Sequence, residues 1–343
     1  MESRTTAGIS VVAMVLVALA PCAYAKTIFV ANNGADSSTC GPTGHAPCRS
    51  ITQGIHNAAN GDLIIVGPGK YGDLNGNGVL GEPGEETPAA NCFCMLAVNK
   101  SVTIVSSDGA AATVIDARTV DVFNNVVFTA NGAVFGRAGL GFTVTETKAA
   151  TTNCFGIDLS NARGVTVEGN LVVSSHPCPG GGISAAGSNP GRGLIQDNQV
   201  MGWDTGINVG PNIVNRNAVQ LNGLGINGFG AVVTGNFVTG NQTGIAANNS
   251  KSSVTGNAVV GNGIGILESS FDGTIPKVES NNIFGNSSCG VNFADANVVA
   301  TNNYWGRATG PLPPGDVCGS GASTAIVKPF ATKPFSITAP VNP

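Results

Sequence analysis

Short apolar runs recur along most of the chain, and glycine and asparagine separate each run from the next. A glycine followed by Ile or Val begins seven of these runs, at Gly156, Gly182, Gly206, Gly225, Gly244, Gly265 and Gly290. Further along each repeat, an apolar residue and two variable residues precede an asparagine, at Asn170, Asn198, Asn217, Asn236, Asn257, Asn281 and Asn302. These asparagines recur on average about every 22 residues, within the range of repeat architectures. A second column follows the first, at Asn222, Asn241, Asn262 and Asn286.

A repeat of this length predicts a solenoid, in which each repeat forms one coil that stacks on the next. Leucine-rich repeats need leucine at several fixed positions, and a left-handed β-helix needs a hexapeptide period; the sequence has neither. Short Val- and Ile-rich strands between Gly/Asn turns instead predict an all-β fold, a right-handed parallel β-helix with coils of about 22 residues. Stacked coils place equivalent residues about 4.8 Å apart, so each asparagine column should form an amide ladder.

The segments outside the regular repeats predict the two ends of the solenoid, which must be capped. Residues 27–30, 62–66 and 102–105 predict strands, and residues 48–59 predict a short amphipathic capping helix. We therefore expect one domain over residues 26–335, followed by a tail at 336–343. Within it we expect an N-terminal cap with irregular coils (26–150), regular coils (151–306) and a C-terminal cap (307–335).

Residues 1–25 predict a signal peptide, with Arg4 in a polar start, a mostly apolar run at 9–20, and Ala-Tyr-Ala at 23–25. A membrane-spanning helix needs about 20 apolar residues, so this run is too short to span a bilayer. We expect the mature chain to be secreted to the periplasm or the extracellular space, without a membrane span.

Charge and cysteine content narrow the class further. Charged residues make up 10% of the chain and the net charge is −4, which leaves no basic surface for nucleic acid. Eight of the nine cysteines follow the predicted signal peptide, and an even number in an exported chain predicts disulfides. Proximity favours three pairs and leaves Cys92 and Cys94 unassigned; the three are Cys40–Cys48, Cys154–Cys178 and Cys289–Cys318.

The two ends of the repeat region resemble those of a known superfamily. Residues 28–30, 51–55 and 61–71 are similar to the start of many pectin-lyase-like proteins, and Asn302-Asn303-Tyr304-Trp305-Gly306 is similar to their usual end. The resemblance covers nearly the whole mature chain and implies a right-handed parallel β-helix. It implies no single activity, because the superfamily contains polysaccharide lyases, hydrolases, esterases, epimerases and members without known catalysis. The Asp-Asp, Asn-Thr-Asp and Gly-His-Gly motifs of polygalacturonases are absent.

The sharpest local motif begins at Asp73. Oxygen-bearing side chains stand at positions 1, 3 and 5 of a loop with glycine at position 6, as in calcium-binding loops. Position 12, usually a bidentate glutamate, is Gly84. The motif predicts a Ca²⁺ site, with a polar turn as the alternative; its predicted ligands are Asp73, Asn75, Asn77, Val79, Glu82 and Glu85.

Two stacked sets of polar residues are candidates for recognition or catalysis. The residues that follow successive Gly-Ile pairs predict a substrate-binding ladder on one sheet face, formed by Asp158, Ser184, Asn208 and Asn227. In another column Asp197 lies one coil before Arg216. If the protein is a calcium-assisted lyase, Arg216 would be its base and Asp197 would lie beside it. The alternative is an exposed ion pair worth less than about 1 kcal/mol.

Three functions are compatible with these observations. The leading hypothesis is a secreted, monomeric β-helix that recognises an extracellular polysaccharide along its outer face. The second is a calcium-assisted polysaccharide lyase, which requires carboxylates clustered beside a base. The third is a structural surface solenoid without a ligand. Whether the chain is an enzyme stays open at this point.

Overall fold

In a computed structural model, the described residues are 25–148, 154–176, 179–186, 193–248, 251–269, 276–295 and 298–340. The predicted signal peptide therefore lies almost entirely outside them. The N-terminal part contains β1 (Thr27–Val30), α1 (Ile51–Asn57), β2 (Leu63–Val66), β3 (Gly69–Gly72), β4 (Cys94–Val98), β5 (Thr103–Ser106), β6 (Thr113–Ala117), β7 (Asn124–Phe128), β8 (Val134–Phe135) and β9 (Thr143–Thr147).

The regular coils follow, and each coil contains three strands: β10 (Phe155–Asp158), β11 (Thr166–Glu168), β12 (Leu171–Val173), β13 (Gly181–Ala185), β14 (Leu194–Gln196), β15 (Gln199–Met201), β16 (Thr205–Val209), β17 (Ile213–Asn215), β18 (Ala218–Gln220), β19 (Leu224–Gly228), β20 (Val232–Thr234), β21 (Phe237–Thr239), β22 (Thr243–Asn248), β23 (Ser253–Thr255), β24 (Ala258–Val260), β25 (Ile264–Ser269), β26 (Lys277–Glu279), β27 (Asn282–Phe284) and β28 (Cys289–Phe293). The C-terminal part adds β29 (Val317–Cys318) and a 3-10 turn at Ala322–Thr324.

The described strands form three parallel sheets around one core. Sheet 1 contains β1, β2, β5, β8, β11, β14, β17, β20, β23 and β26. Sheet 2 contains β3, β6, β9, β12, β15, β18, β21, β24 and β27, and sheet 3 contains β4, β7, β10, β13, β16, β19, β22, β25, β28 and β29. From β2 to β28 every third strand returns to the same sheet, so the chain makes one coil per three strands. The predicted right-handed parallel β-helix is confirmed.

Branched apolar side chains fill the interior in continuous stacks. In sheet 2 the stack is fully buried and consists of Val144, Val172, Val200, Val219, Val238, Val259 and Ile283. In the coils before residue 150, Phe128, Phe135 and Phe142 fill the interior instead, and the rings of Phe135 and Phe142 stack with centroids 4.8 Å apart. Burial of this apolar surface contributes roughly 25 cal/mol per Å² and drives the coils together.

The capping helix is shorter than the predicted span of 48–59. Cys48 pairs with Val30 as an isolated parallel bridge, so the backbone is still extended there. The helix starts after Ser50, whose hydroxyl accepts the Gln53 amide at 3.1 Å, and ends before Ala58, which is extended. The strands predicted at 62–66 and 102–105 begin one residue later, at Leu63 and Thr103.

The first asparagine column forms the expected ladder. The Asn236 side chain accepts the Asn217 amide at 2.9 Å through Oδ1. Its Nδ2 donates to Asn257 Oδ1 and to the carbonyls of Val214 and Thr234, at 2.9, 2.9 and 3.0 Å. Similar contacts run along the column from Asn170 to the C-terminal cap, so backbone groups at each turn are paired inside the protein.

The last member of this column differs from the prediction. Asn303, rather than Asn302, accepts the Asn281 amide at 2.9 Å and donates to the Val278 carbonyl. Asn302 instead adopts the left-handed conformation, with φ 57°, that Arg216 and Ser280 adopt immediately before earlier ladder residues. The column assignment to Asn302 is therefore wrong by one residue, because the final coil places Ala300 rather than Val299 in the core.

The second asparagine column explains the Gly-Ile pairs. It starts at Trp203, whose Nε1 donates to the Val172 carbonyl at 3.2 Å, and continues through Asn222. A Cβ on Gly206 would lie 2.7 Å from the Gly225 carbonyl oxygen and 2.9 Å from Asn222 Nδ2. The glycine of each pair is thus required where the backbone passes close to the ladder and to the next coil.

Disulfides tie down both ends of the solenoid. The predicted pairs Cys40–Cys48 and Cys289–Cys318 are present, and Cys92 pairs with Cys94. Cys178 lies outside the described residues, and Cys154 is disulfide-bonded. Within the described part of the chain, no helix is long and apolar enough to span a membrane.

One carboxyl group interrupts the core of sheet 3. Glu268 is fully buried and pairs in register with Ala247 and Phe293. Its Oε2 accepts the Asp295 amide at 3.3 Å, and its Oε1 has no hydrogen-bond partner among the described residues. Burial raises the pKa of Glu268 from 4.5 to about 7.

We predict that Asn236→Ala lowers the free energy of unfolding by about 2–4 kcal/mol, because it leaves the buried Asn217 amide without its acceptor and removes the hydrogen bonds to Asn257 Oδ1 and to two carbonyls. Asn215→Ala is the matched control: this asparagine precedes the same turn one coil earlier, its side chain is half-buried, and we expect a change below about 0.5 kcal/mol. Urea unfolding followed by circular dichroism measures both. Equal losses would contradict a ladder contribution.

We predict that Glu268→Gln stabilises the protein above pH 7, by on the order of 2–3 kcal/mol, and has little effect near pH 4.5. The native pKa is raised, so the folded state holds a proton that the unfolded state releases between these pH values. Stability is therefore lost as pH rises through that window. Thermal melts across the window measure the effect, with the half-buried Glu279→Gln as control. A pH-independent difference would contradict the prediction.

Candidate functional site

The predicted polar ladder lies on the outer face of sheet 3. Parallel pairing places Asp158 opposite Ser184, Ser184 opposite Asn208, and Asn208 opposite Asn227, on β10, β13, β16 and β19. Ser184 is buried and the other three are half-buried. The structure thus brings all four residues into one row, with neighbours separated by one strand spacing of about 4.8 Å.

Hydrogen bonds extend this row further than the sequence suggests. Asn227 Nδ2 donates to Asn208 Oδ1 at 3.0 Å, and Asn248 Nδ2 donates to Asn227 Oδ1 at 2.7 Å. Ser269 then donates to Asn248 Oδ1 at 2.9 Å. Asn248 and Ser269 were missed because Asn227 pairs in register with Ala246, two residues before Asn248. We call the row from Asp158 through Asn227, with Asn248 and Ser269, the polar row.

An exposed aromatic pair lies beside the first strands of the same sheet. Phe93 and Phe123 are 62% and 42% exposed, and their ring centroids are 5.0 Å apart. Asp158 pairs with Val127, four residues beyond Phe123, so the pair lies roughly 13 Å along the strand direction from the polar row. Exposed aromatic faces of this kind pack against apolar C–H surfaces of a ligand.

A groove borders sheet 3 at its corner with sheet 2. This cavity of about 470 Å³ is lined by His176, Trp203, Asp204 and Gln242, among others. The buried Glu146 accepts the Ser175 hydroxyl at 2.5 Å and lies 3.5 Å from His176 Nδ1. The sequence showed no partner for His176, because Glu146 is distant along the chain and approaches only through coil stacking.

Arg216 and Asp197 lie elsewhere, at the corner between sheets 1 and 2. Arg216 Nε donates to Asp197 Oδ1 at 2.8 Å and a second nitrogen donates to Oδ2, so the pair is bidentate. The hydrogen bonds that Arg216 donates to Asp197 raise the pKa of Arg216 above its ordinary value. A raised pKa opposes the proton loss that a catalytic base requires, so this geometry favours the ion-pair interpretation.

The predicted calcium loop brings some of its candidate ligands together. Asn75 Nδ2 and Asn77 Nδ2 both donate to Glu82 Oε2, at 2.5 and 2.8 Å. Glu85 turns beneath the loop and accepts the amide of Asn75 at 3.2 Å. The Val79 side chain is 54% exposed, and its amide donates to Asn77 Oδ1.

Asp73 occupies the base of the same loop. It is fully buried, and its carboxylate accepts the amides of Gly76 and Gly78 at 2.7 and 2.6 Å. Burial opposes its ionisation, but hydrogen bonds from Thr119, Gly78 and Gly76 hold the pKa of Asp73 below its ordinary value. In the described chain, the carboxylates of Asp73, Glu82 and Glu85 do not gather within 4.8 Å of one another.

Solved structures of similar shape support the fold. The chain is similar to the pectate lyase Pel9A, with a TM-score of 0.51 and 15% identity over 90% of this chain and 78% of that one. It is also similar to XylC in complex with xylose, with a TM-score of 0.53 and 9% identity over 82% of this chain and 70% of that one. At this identity the likeness concerns the fold alone. None of the curated proteins matches the sequence.

A family model shows where the chain belongs. The family described as "Periplasmic copper-binding protein (NosD)" matches residues 55–311, about three quarters of the chain. The matched region begins inside α1 and includes the three-sheet coils, the polar row and the calcium-like loop. A periplasmic family agrees with the export that the N-terminal segment predicts. The chain is therefore a member of the NosD family of parallel β-helix proteins.

Proposed function

We propose that this NosD-family protein recognises a polysaccharide along the outer face of sheet 3. The polar row carries the proposal: from Asp158 to Asn227 its side chains lie one strand apart, and hydrogen bonds link Asn208, Asn227, Asn248 and Ser269. A polysaccharide presents hydroxyl groups that donate and accept at regular intervals. A repeated polar surface therefore matches a repeated ligand better than it matches a compact one.

The hydrogen bonds within the row also favour binding energetically. Asn227 is held from both sides, by Asn208 and by Asn248, so its rotamer is largely set before a ligand arrives. Asn208 Nδ2 has no hydrogen-bond partner among the described residues, and it is free to donate to a ligand. Preorganised side chains lose less entropy on binding, which raises affinity without new contacts.

The aromatic pair and the corner groove both lie beside the polar row, along the edge of sheet 3 where its strands begin. Phe93 and Phe123 offer a face on which the apolar side of a sugar ring can pack. The groove at Asp204 opens immediately before β16, the strand that carries Asn208. Together they would give a polysaccharide lying along the polar row further contacts on one side of that row.

We propose that the protein binds polysaccharide, and we assign no reaction to it. The lyase alternative places Arg216 as base, but Arg216 is held protonated by Asp197 at a different corner of the coil. A structural solenoid without a ligand would have no use for the exposed aromatic pair. If the protein binds no polysaccharide, that result would favour this structural alternative.

The family description implies copper, which prefers imidazole, thiolate and thioether donors. The three histidines, His45, His56 and His176, are exposed and lie on separate elements. Among the described residues the one group of three possible His, Cys, Asp or Glu ligands is Asp36, Cys40 and Cys48, and both cysteines are joined in a disulfide. Met95 is fully buried in the core. These residues do not fit a copper site, and the proposal assigns no role to copper.

Calcium is the metal we propose for this chain, at the loop that starts at Asp73. The oxygen-bearing donors of Asp73, Asn75, Asn77 and Glu82 support this choice, because calcium takes hard oxygen ligands. The loop belongs to the N-terminal cap rather than to the polar row. Its proposed role is therefore structural, and it is separate from the recognition of polysaccharide.

We predict that the double substitution Asn208→Ala with Asn227→Ala weakens polysaccharide binding at least about tenfold, because it removes the centre of the polar row. The matched control is Asn215→Ala with Thr234→Ala, a registered pair on sheet 1 in the same two coils, and we expect no change. Affinity electrophoresis against a panel of acidic and neutral polysaccharides measures binding. Loss of binding in both double variants, or no binding by the unaltered protein, would contradict the proposal.

A further inference from the structure

The loop between β3 and β4 concentrates negative charge without a matching cation. Asp73, Glu82 and Glu85 lie close together in sequence, and no ion pair of any of them occurs in the described part of the chain. Asp73 and Glu85 are moreover 0% and 4% exposed. Hydrogen bonds from the Gly76 and Gly78 amides already stabilise the Asp73 carboxylate. Glu85 is buried without an ion pair among the described residues, and burying a carboxylate without an opposite charge costs several kcal/mol.

An unpartnered oxygen points to a ligand independently of this charge. Glu85 Oε1 accepts the amides of Leu74 and Asn75, which fixes the carboxylate against the first turn of the loop. Its second oxygen, Oε2, is buried and has no hydrogen-bond partner among the described residues. Because the two oxygens belong to one carboxylate, Oε2 lies at the loop as well, where a cation would satisfy it.

Building on the calcium assignment above, we propose that the loop from Asp73 to Glu85 binds one calcium ion that fixes the N-terminal cap of the solenoid. Asn75 and Asn77 converge on Glu82 Oε2, so three side chains already approach one point. Turning each of the two amide groups over exchanges its nitrogen and oxygen atoms and presents oxygen there. This rotation of the side-chain amides breaks two hydrogen bonds, those that Asn75 Oδ1 and Asn77 Oδ1 accept from the amides of Asn77 and Val79, and replaces them with metal ligation.

The positive charge beside the loop does not already perform this role. Arg49 is 5% exposed and donates through Nη2 to the Gly84 carbonyl, and its guanidinium lies 5.6 Å from the centre of the Tyr71 ring. It forms no ion pair with Glu85, although both line one cavity. Arg49 Nε and Nη1 have no partner within the described residues, so ordered water is the competing way to satisfy both groups.

Calcium fits the loop better than magnesium. Gly76, Gly78, Gly81 and Gly84 all have φ between 80° and 92°, a left-handed conformation that lets the chain curl around a central point. Calcium accepts six to eight oxygen ligands in flexible geometry, including amide and backbone carbonyls. Magnesium demands near-octahedral geometry and retains its waters.

The ion would act on the capping helix through adjacent residues of the same loop. Glu86 follows Glu85 directly and accepts the amides of Ile51 and Thr52 at 3.0 and 2.7 Å, at the start of α1. Arg49, just before that helix, holds the Gly84 carbonyl. Fixing Glu82 and Glu85 on calcium therefore also fixes the carboxylate that caps α1, and the cap becomes more stable when the ion is bound.

The test uses the full mature chain stripped of metal with a chelator. Isothermal titration with calcium chloride should give one site, and millimolar calcium should raise the melting temperature and slow amide exchange in α1. Glu82→Gln should weaken calcium binding at least about tenfold, because it removes the charged ligand that both asparagines face. Glu279→Gln, the same change in a regular coil, should bind calcium as the unaltered protein does.

Glu82 is half-buried, and its amide analogue keeps the volume, so the metal-free variant should melt at the temperature of the metal-free parent. Glu85→Gln is a second variant that tests the unpartnered oxygen separately. Absence of calcium heat and of any melting shift in the parent would overturn the proposal in favour of ordered water. Equal weakening by Glu82→Gln and Glu279→Gln would also overturn it, as would equal shifts with magnesium. None of these outcomes depends on polysaccharide binding.

Discussion

Hydrogen bonding between asparagine side chains of successive coils is the interaction on which the rest of this structure depends. Each coil turns sharply after strands of two to six residues, and a turn exposes backbone groups that a strand would otherwise pair. Asn236 and its equivalents supply those partners from within the interior. The same ladder requires glycine beside it, as at Gly206, and left-handed residues before it, as at Arg216.

The coil register that the asparagine ladders maintain in the core also arranges the residues of the outer face. Once the ladders hold the coils in register, every outward position forms a row, and polar residues in a row can bond to one another as Asn208 and Asn227 do. A repeated surface thus arises without any dedicated binding loop. Irregular features occur outside the row: the aromatic pair at Phe93 and Phe123 lies among the early coils, which contain more residues, and the groove at His176 lies at a corner.

The N-terminal cap follows different physics from the coils. The ladder starts only at Asn170, and aromatic packing and carboxylates stabilise the first coils instead, with two disulfides that close short local loops. Glu86 caps α1 and Glu85 supports the loop beside it, so acidic groups do there what amides do later. The described residues do not group histidines or free cysteines as copper, which the family description suggests, would require, whereas hard oxygen donors are abundant in the cap.

The sequence by itself determined the features that repeat. Its regular period specifies the coil, the ladders and the row from Asp158 to Asn227, because stacking converts equal spacing into contact. Only the tertiary structure decided features that break the period. The shift from Asn302 to Asn303 depends on which residue of the last coil enters the core, and Glu82 rather than Glu85 meets the asparagines because of how the loop curls. The contact of His176 with Glu146 joins groups from different coils of unequal length, where spacing along the chain carries no information about distance.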